Sequence, residues 1–132
     1  MTLIAKGGFT VSLQPQSLSD VASGSGLGRM SIDKHFSGDL VGTSTGEMLA
    51  AGSAVKGSAG YVAMERVTGT LGARSGSFVL QHTGTMNRGV PTLRVTVVPD
   101  SGTDGLQGLS GSLTIDIVEG KHLHTFDYSL PD

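Results

Sequence analysis

The sequence contains no cysteine and no tryptophan, and its charged residues are few. The absence of cysteine excludes disulfides, thiolate ligation of zinc and thiol nucleophiles, and it leaves the cellular compartment open. The nine basic and eleven acidic residues are scattered singly, and only four Phe and two Tyr are present. A basic patch with aromatic side chains for base stacking is therefore missing, so nucleic acid is not an expected partner.

Long apolar runs are missing as well. No stretch approaches the roughly 18 apolar residues of a membrane-spanning helix, so no membrane partner is expected. The N-terminal MTLIAKGGFTV has an apolar run of three residues and a lysine in the wrong place for a secretory signal. We therefore predict a cytoplasmic protein.

Glycine, by contrast, is abundant, with 21 of 132 residues. Glycine and proline interrupt the chain so often that no segment between them exceeds ten residues, whereas a mean helix has about 11 to 12. Apolar residues make up 37% and charged residues 15% of the chain, so it can bury enough surface to fold. We predict a single domain, residues 1–132, with at most short helices.

Apolar and polar residues alternate in about eight stretches, the pattern of half-buried strands. The clearest pair runs from Gly60 to Met86, with a turn near Leu71 to Arg74. Pro15 is expected to end the first strand, and long loops are predicted at residues 16–28 and 99–108. About eight strands with short connections predict an all-β fold, a closed antiparallel barrel, because closure removes exposed strand edges.

The segments YVAMERVTGTLGARSGSFVLQHTGTM and VVPDSGTDGLQGLSG closely resemble a bacterial family known as domain of unknown function 3224. The resemblance extends from GGFTV to FDYSL, and GARSGSFVLQH and PDSGT are fairly specific to it. It implies an allene-oxide-cyclase-like barrel of eight antiparallel strands, a lipocalin-like, calycin-type architecture. In the cyclases of that superfamily, an apolar lumen holds a fatty-acid-derived epoxide, and a carboxylate and a bound water assist its ring closure. No residue here is matched to that carboxylate, so an isomerase or cyclase activity is implied by the fold alone.

Glu65 is the first candidate for a catalytic role. It shares a strand face with Tyr61 and Val67, and Arg66 lies on the opposite face. If the Glu65 face is inward, burial is expected to raise the pKa of this carboxyl group and to prepare it as a general acid or base. If the other face is inward, Arg66 lines the lumen and can bind a carboxylate ligand. The alternation leaves both orientations open.

Two histidines are the other catalytic candidates. His82 continues an apolar row and is expected to face inward, where it can carry a proton. His124 shares a face with His122, and two such imidazoles can meet one metal ion, but the spacing shows no third ligand. No metal site and no cofactor are therefore predicted. The residues predicted to line a ligand site are Tyr61, Arg66, Phe78, Leu80, Phe126 and Tyr128.

One further motif is set aside. The stretch Gly42-Thr43-Ser44-Thr45-Gly46 matches the G-x-S-x-G pattern of hydrolases. That pattern needs a helix directly after its serine, and the sequence predicts none there. Ser44 is therefore interpreted as a coincidental match.

Two function hypotheses fit this sequence. In the first, the lumen binds a small apolar or amphipathic molecule and isomerises or cyclises it, with Glu65, His82 or His124 as proton carriers. In the second, the barrel is not an enzyme and only binds a ligand, or it acts through self-association as a homo-oligomer. Polar groups that converge in the lumen favour the first hypothesis, and a purely apolar lining favours the second.

Overall fold

The computed structural model describes residues 2–131, which form a closed antiparallel barrel. Each strand pairs with its neighbours in sequence, and the last strand returns to pair with the first. The predicted all-β class and eight-stranded barrel are therefore confirmed. The described part of the chain has one 3-10 turn, Asp104–Leu106, and no helix long and apolar enough to cross a membrane. The strands are β1 (Thr2–Gln16), β2 (Leu27–Gly38), β3 (Leu40–Gly52), β4 (Ala59–Leu71), β5 (Arg74–Asn87), β6 (Val90–Val97), β7 (Ser110–Val118) and β8 (Lys121–Ser129).

The period of two along each strand decides which side chains enter the lumen. On β8, the inward side chains of His124, Phe126 and Tyr128 are all buried. On β5, Phe78 and Leu80 are buried in the same way. The inward rows predicted for these two strands are therefore confirmed.

Two of the hairpin turns depend on left-handed backbone. Arg88 and Gly89 join β5 to β6 with φ of 49° and 89°, and Glu119 and Gly120 join β7 to β8 with φ of 52° and 78°. Two successive residues with positive φ form the turn whose twist matches that of the flanking strands. These short turns keep the strands in sequential order around the barrel.

The predicted end of the first strand is wrong. β1 continues past Pro15, which pairs with Met30 of β2. The pairs between β1 and β8 end at Phe9, so Pro15 has a neighbouring strand on one side only, where a missing N–H is tolerated. The predicted loop 99–108 is confirmed between β6 and β7, and it also contains the 3-10 turn, whose Leu106 is fully buried.

The two ends of the barrel differ in packing. At one end, which we call the closed end, the β2–β3 and β4–β5 turns meet the segment that carries Leu106. Leu40, Leu71 and Phe78 are at most 1% exposed there, and Phe78 stacks on Phe126 with 5.8 Å between ring centroids. Side chains therefore fill this end of the lumen.

The opposite end, which we call the open end, exposes apolar side chains that continue the inward rows. Leu13, Leu93 and Ile117 are 41%, 43% and 68% exposed. Met30 and Met48 continue the inward rows of β2 and β3 and are half-buried. Since inward rows face the barrel axis, these five residues form an apolar mouth to the lumen.

Candidate functional site

A carboxylate with three side-chain partners lies inside the barrel. The Oε1 atom of Glu65 is 2.6 Å from Nε2 of His82 and 2.9 Å from Nζ of Lys34, and its Oε2 atom is 2.5 Å from Oγ of Ser44. All four side chains are buried. We call Lys34, Ser44, Glu65 and His82 the Glu65 cluster.

Four adjacent strands supply this cluster, one residue each. Lys34 and Ser44 are partners across β2 and β3, and Glu65 and His82 lie on β4 and β5. Gly46 pairs with Glu65, and a side chain at Gly46 would place its Cβ 2.7 Å from the Cα of Glu65. Glycine at position 46 therefore allows β3 and β4 to approach where the carboxylate enters the lumen.

The surroundings keep Glu65 ionised. Burial raises the pKa of this carboxyl group, but the hydrogen bond from His82, the charge of Lys34 and the hydrogen bond from Ser44 outweigh burial and lower the pKa to about 2. Of the two orientations that the sequence left open, the structure has Glu65 facing inward, and the raised pKa expected for that orientation is wrong. The pKa was expected to rise because the row around Glu65 on β4 is apolar. The three side chains that lower the pKa come from other strands, so the sequence of β4 alone did not show them.

The hydrogen bond to ionised Glu65 also decides which nitrogen of His82 carries a proton. An ionised carboxylate can only accept hydrogen bonds, so Nε2 of His82 must carry the proton that it shares with Oε1. In the neutral imidazole, Nδ1 then has a free lone pair and can accept a proton. This is the arrangement in which a carboxylate holds a histidine as a general base.

Aromatic rings surround the cation of the cluster. The Nζ atom of Lys34 lies 4.6 Å from the ring centroid of Phe9 and 5.9 Å from that of Phe36. Such contacts favour a desolvated ammonium group. Lys34 is thus held by one carboxylate and two rings in a place where an unpaired charge would be unfavourable.

Tyr61 lies between the Glu65 cluster and the open end. Its ring packs on Gly84, where an added Cβ would lie 2.3 Å from Cε1 of the ring, and its centroid is 6.4 Å from that of His82. Burial, and then the nearby charge of Glu65, raise the pKa of the Tyr61 hydroxyl. This hydroxyl is therefore neutral at physiological pH and can donate a hydrogen bond.

His124 is buried apart from the cluster. Its ring is 5.8 Å from Phe36, and within residues 2–131 neither of its ring nitrogens has a hydrogen-bond partner. Burial lowers the pKa of His124, the charge of Asp39 opposes that shift, and the charge of Lys34 adds to it. The structure thus brings Glu65 and His82 together and leaves His124 on its own.

The remaining predicted site residues divide into two groups. Arg66 is exposed on the outer face of β4, so its predicted position in a ligand site inside the lumen is wrong. Its neighbour Glu65 occupies the inward face instead, because the two residues are consecutive on one strand. The ligand-binding role of the residues packed in the core stays a prediction. These residues are Phe78, Leu80, Phe126 and Tyr128.

No group of three or more His, Asp or Glu side chains within the described range 2–131 is arranged to hold a metal ion. His122 and His124, the pair considered from the sequence, face different aromatic rings. His122 packs on Phe9 with 5.1 Å between centroids, and His124 packs on Phe36.

Sequence reasoning missed two members of the cluster. Lys34 alternates with Met30, Ile32 and Phe36, so the pattern places a lysine in an otherwise apolar inward row. A lysine in such a row indicates a buried cation, and a buried cation requires an anionic partner inside the barrel. Ser44 was set aside as a motif coincidence, and in the structure it is a hydrogen-bond donor to Glu65.

Comparison with known proteins gives a family for this chain. Residues 5–128 match the family model described as "Protein of unknown function (DUF3224)". The chain belongs to this family. A similar solved structure is that of a DUF3224-family protein of unknown function from Shewanella oneidensis MR-1, with 46% sequence identity and a TM-score of 0.92. The match covers 100% of this chain and 99% of that one. The search of curated proteins gave no match.

Proposed function

We propose that the DUF3224 barrel binds a small, largely apolar molecule through its open end and that His82 moves a proton on that molecule. The observation that carries this proposal is the Glu65 cluster, an ionised carboxylate with three donors inside a lumen that has an apolar mouth. A buried charged network is unfavourable for stability alone, and such groups concentrate at functional sites.

The apolar mouth supports a small, largely apolar molecule as the ligand. Leu13, Leu93 and Ile117 expose side chains that face the lumen, and covering them with an apolar molecule removes that surface from water. Pockets for small molecules combine such apolar walls with a few polar groups that fix orientation. Tyr61 and His82 are polar groups of the inward rows on β4 and β5, and His122 pairs with Ile117 of the mouth.

The arrangement of His82 supports proton transfer. Its Nδ1 atom can take a proton from a carbon next to a carbonyl group, and Glu65 then stabilises the imidazolium that forms. Return of the same proton to another carbon of the ligand completes an isomerisation and restores neutral His82. Glu65 is ionised throughout, so in this proposal it positions and stabilises His82 and is not itself the acid or base.

The resemblance to allene-oxide-cyclase-like barrels supports ring closure as a more specific form of this chemistry. A ring closure would use the same apolar lumen and the same proton carrier. Location in the cytoplasm stays a prediction.

Binding can be tested by nuclear magnetic resonance of methyl groups with 3-cyclohexenone as the probe. We expect the methyl signals of Leu13, Leu93 and Ile117 to shift on titration. The methyl signals of Leu40 and Leu71 at the closed end are the internal control and should stay unchanged. Shifts confined to the closed end, or no shifts, would contradict binding at the open end.

The chemistry can be tested with the same probe, because a proton shift converts 3-cyclohexenone into its conjugated isomer. We expect the protein to accelerate this conversion and His82→Gln to slow it by about 10²- to 10⁴-fold, the usual contribution of a general base. His35→Gln, which changes an exposed histidine, is the matched control. Equal rates for the protein and His82→Gln would remove His82 from the mechanism.

A second candidate function, self-association, is favoured by the outer wall. Leu49, Val62 and Met64 are 44%, 52% and 48% exposed and border a groove of about 800 Å³ between β2–β5 and the segment around Ser17 to Ala22. Light scattering after size-exclusion chromatography tests it. A dimer that Met64→Lys dissociates would support this function, and a monomer at all concentrations would contradict it.

A further inference from the structure

His124 is a buried polar side chain that the Glu65 cluster does not use. It is 3% exposed, and both ring nitrogens are sealed from solvent. Its cross-strand partners are Gly7 on β1 and Ile115 on β7, and its ring faces the ring of Phe36. These neighbours are apolar or have no side chain, so they offer no hydrogen bond to the imidazole.

Such a position is unusual in a folded protein. A neutral imidazole has one donor and one acceptor, and most buried polar side-chain atoms have a partner. Burial without one is unfavourable, and phenylalanine would fill a similar space without that cost. The side chains around His124 therefore do not explain why a histidine occupies this position.

The charges near His124 favour its neutral form. Burial lowers its pKa, Lys34 acts in the same direction, and Asp39 opposes them. Asp39 is itself bound to the backbone N–H of Lys6 at 2.8 Å. The neutral ring offers a partner one N–H group and one free lone pair.

We propose that His124 is the subsite for a hydroxyl group of the bound molecule. A hydroxyl group can either donate or accept, so it can bind whichever of the two ring nitrogens of the neutral imidazole faces the ligand. A carboxylate has no proton to donate and is far more expensive to bury. This subsite rests on the ligand binding proposed above. With it, the expected ligands are apolar alcohols and phenols.

The polar groups of the Glu65 cluster differ from His124 in that each is already engaged with Glu65, while His82 keeps a free lone pair on Nδ1. Lys34, Ser44 and His82 each already bind an oxygen of Glu65. Phe36 lies between the two sites, with its ring 5.9 Å from Nζ of Lys34 and 5.8 Å from the ring of His124. The lumen therefore presents a proton carrier and a hydroxyl subsite that are separated by an aromatic ring.

The test uses p-cresol and p-xylene, which have nearly the same shape and differ by a hydroxyl group. We expect the protein to bind p-cresol about tenfold more tightly than p-xylene, the factor of one buried hydrogen bond. His124→Phe should remove that preference while p-xylene still binds. His122→Phe, on the same strand and face, is the matched control and should keep it.

A second measurement works on the unaltered protein. The ¹⁵N chemical shifts of the two ring nitrogens report protonation and hydrogen bonding of each histidine. We expect the His124 nitrogens to shift on addition of p-cresol and to stay unchanged with p-xylene. Unchanged His124 shifts with p-cresol bound, or a hydroxyl preference kept by His124→Phe, would overturn the subsite.

The outcomes separate this inference from the function on which it rests. Binding of p-xylene at the apolar mouth without any preference for p-cresol would overturn the hydroxyl subsite and leave the proposed ligand binding intact. Failure of both probes to bind would overturn the two together.

Discussion

The two ends of this barrel are built from the same alternating strands, yet they use their inward side chains differently. At the closed end the inward side chains are fully buried, as for Phe78 and Leu71. At the open end the same rows leave Leu93 and Ile117 exposed to water. Strand alternation alone therefore does not define a core, because an inward row is buried only where other residues fill the lumen.

The difference indicates how packed core and exposed apolar surface are divided along the barrel axis. Burial at the closed end stabilises the fold, and the exposed inward residues at the open end contribute little to it. The Glu65 cluster lies between the two, where a charged group is shielded from water and still close to the mouth.

Phe78→Ala tests the closed end. Phe78 is fully buried and stacks on Phe126, so the substitution should leave a cavity and lower the free energy of unfolding by about 3 to 5 kcal/mol. Urea denaturation followed by circular dichroism measures this. Stability close to that of the parent would show that the closed end is not the stabilising region.

Glu65→Gln tests the middle of the barrel. The substitution removes the charge that pairs with buried Lys34. Because one member of a buried ion pair is then left unpaired, the free energy of unfolding should fall by about 3 to 5 kcal/mol. Adding Lys34→Met should recover part of this loss, because no buried charge is then unpaired. If the double variant is less stable than Glu65→Gln, the pair does not act as a unit.

The pH dependence separates Glu65 from His124. The Glu65 pKa is lowered from 4.5 to about 2, so the unfolded chain takes up a proton first and stability falls by about 3 kcal/mol as pH drops from about 4.5 to about 2. The His124 pKa is lowered from 6.5, so its loss of stability begins as pH falls below about 6.5.

Variants assign each of these two pH ranges to its residue. Glu65→Gln should flatten the decline in the lower range, and His124→Phe should flatten the one in the upper range. Denaturation midpoints measured across both ranges check this. An unchanged profile in either variant would assign that part of the acid sensitivity to another group.

Leu93→Ala tests the open end and should have the smallest effect. Leu93 is 43% exposed, so the change in the free energy of unfolding should be about 0.5 kcal/mol or less. Binding of p-xylene should weaken measurably, since the mouth loses apolar surface. A large loss of stability with unchanged binding would reverse the roles assigned to the two ends.

Local alternation was sufficient to predict much of the fold. It gave the barrel and the inward rows that hold Phe78 and Phe126, because period two is a property of each strand by itself. It did not give the 3-10 turn at Asp104–Leu106, since glycine and aspartate in that segment are equally typical of an open loop. It also placed the end of β1 at Pro15, a rule that fails where one side of the strand has no partner.

The candidate site was predictable only in part. His82 was placed inward by its own row, whereas the face of Glu65 was left open because both faces of β4 carry apolar residues. The contact of Glu65 with Lys34 depends on how β2, β3 and β4 are staggered, which no single strand encodes. The pKa of Glu65 was therefore predicted in the wrong direction.

The wall of the barrel is uneven around its circumference. Between β6 and β7 only two residue pairs align, Val95 with Leu113 and Thr96 with Ser112, while β4 and β5 align over their whole length. Beyond Val97, backbone bonds from the 98–109 segment to β5 continue the wall. Opening fluctuations should start at this seam, because the fewest cross-strand bonds must break there. Amide protons of β6 should then exchange with deuterium before those of β4.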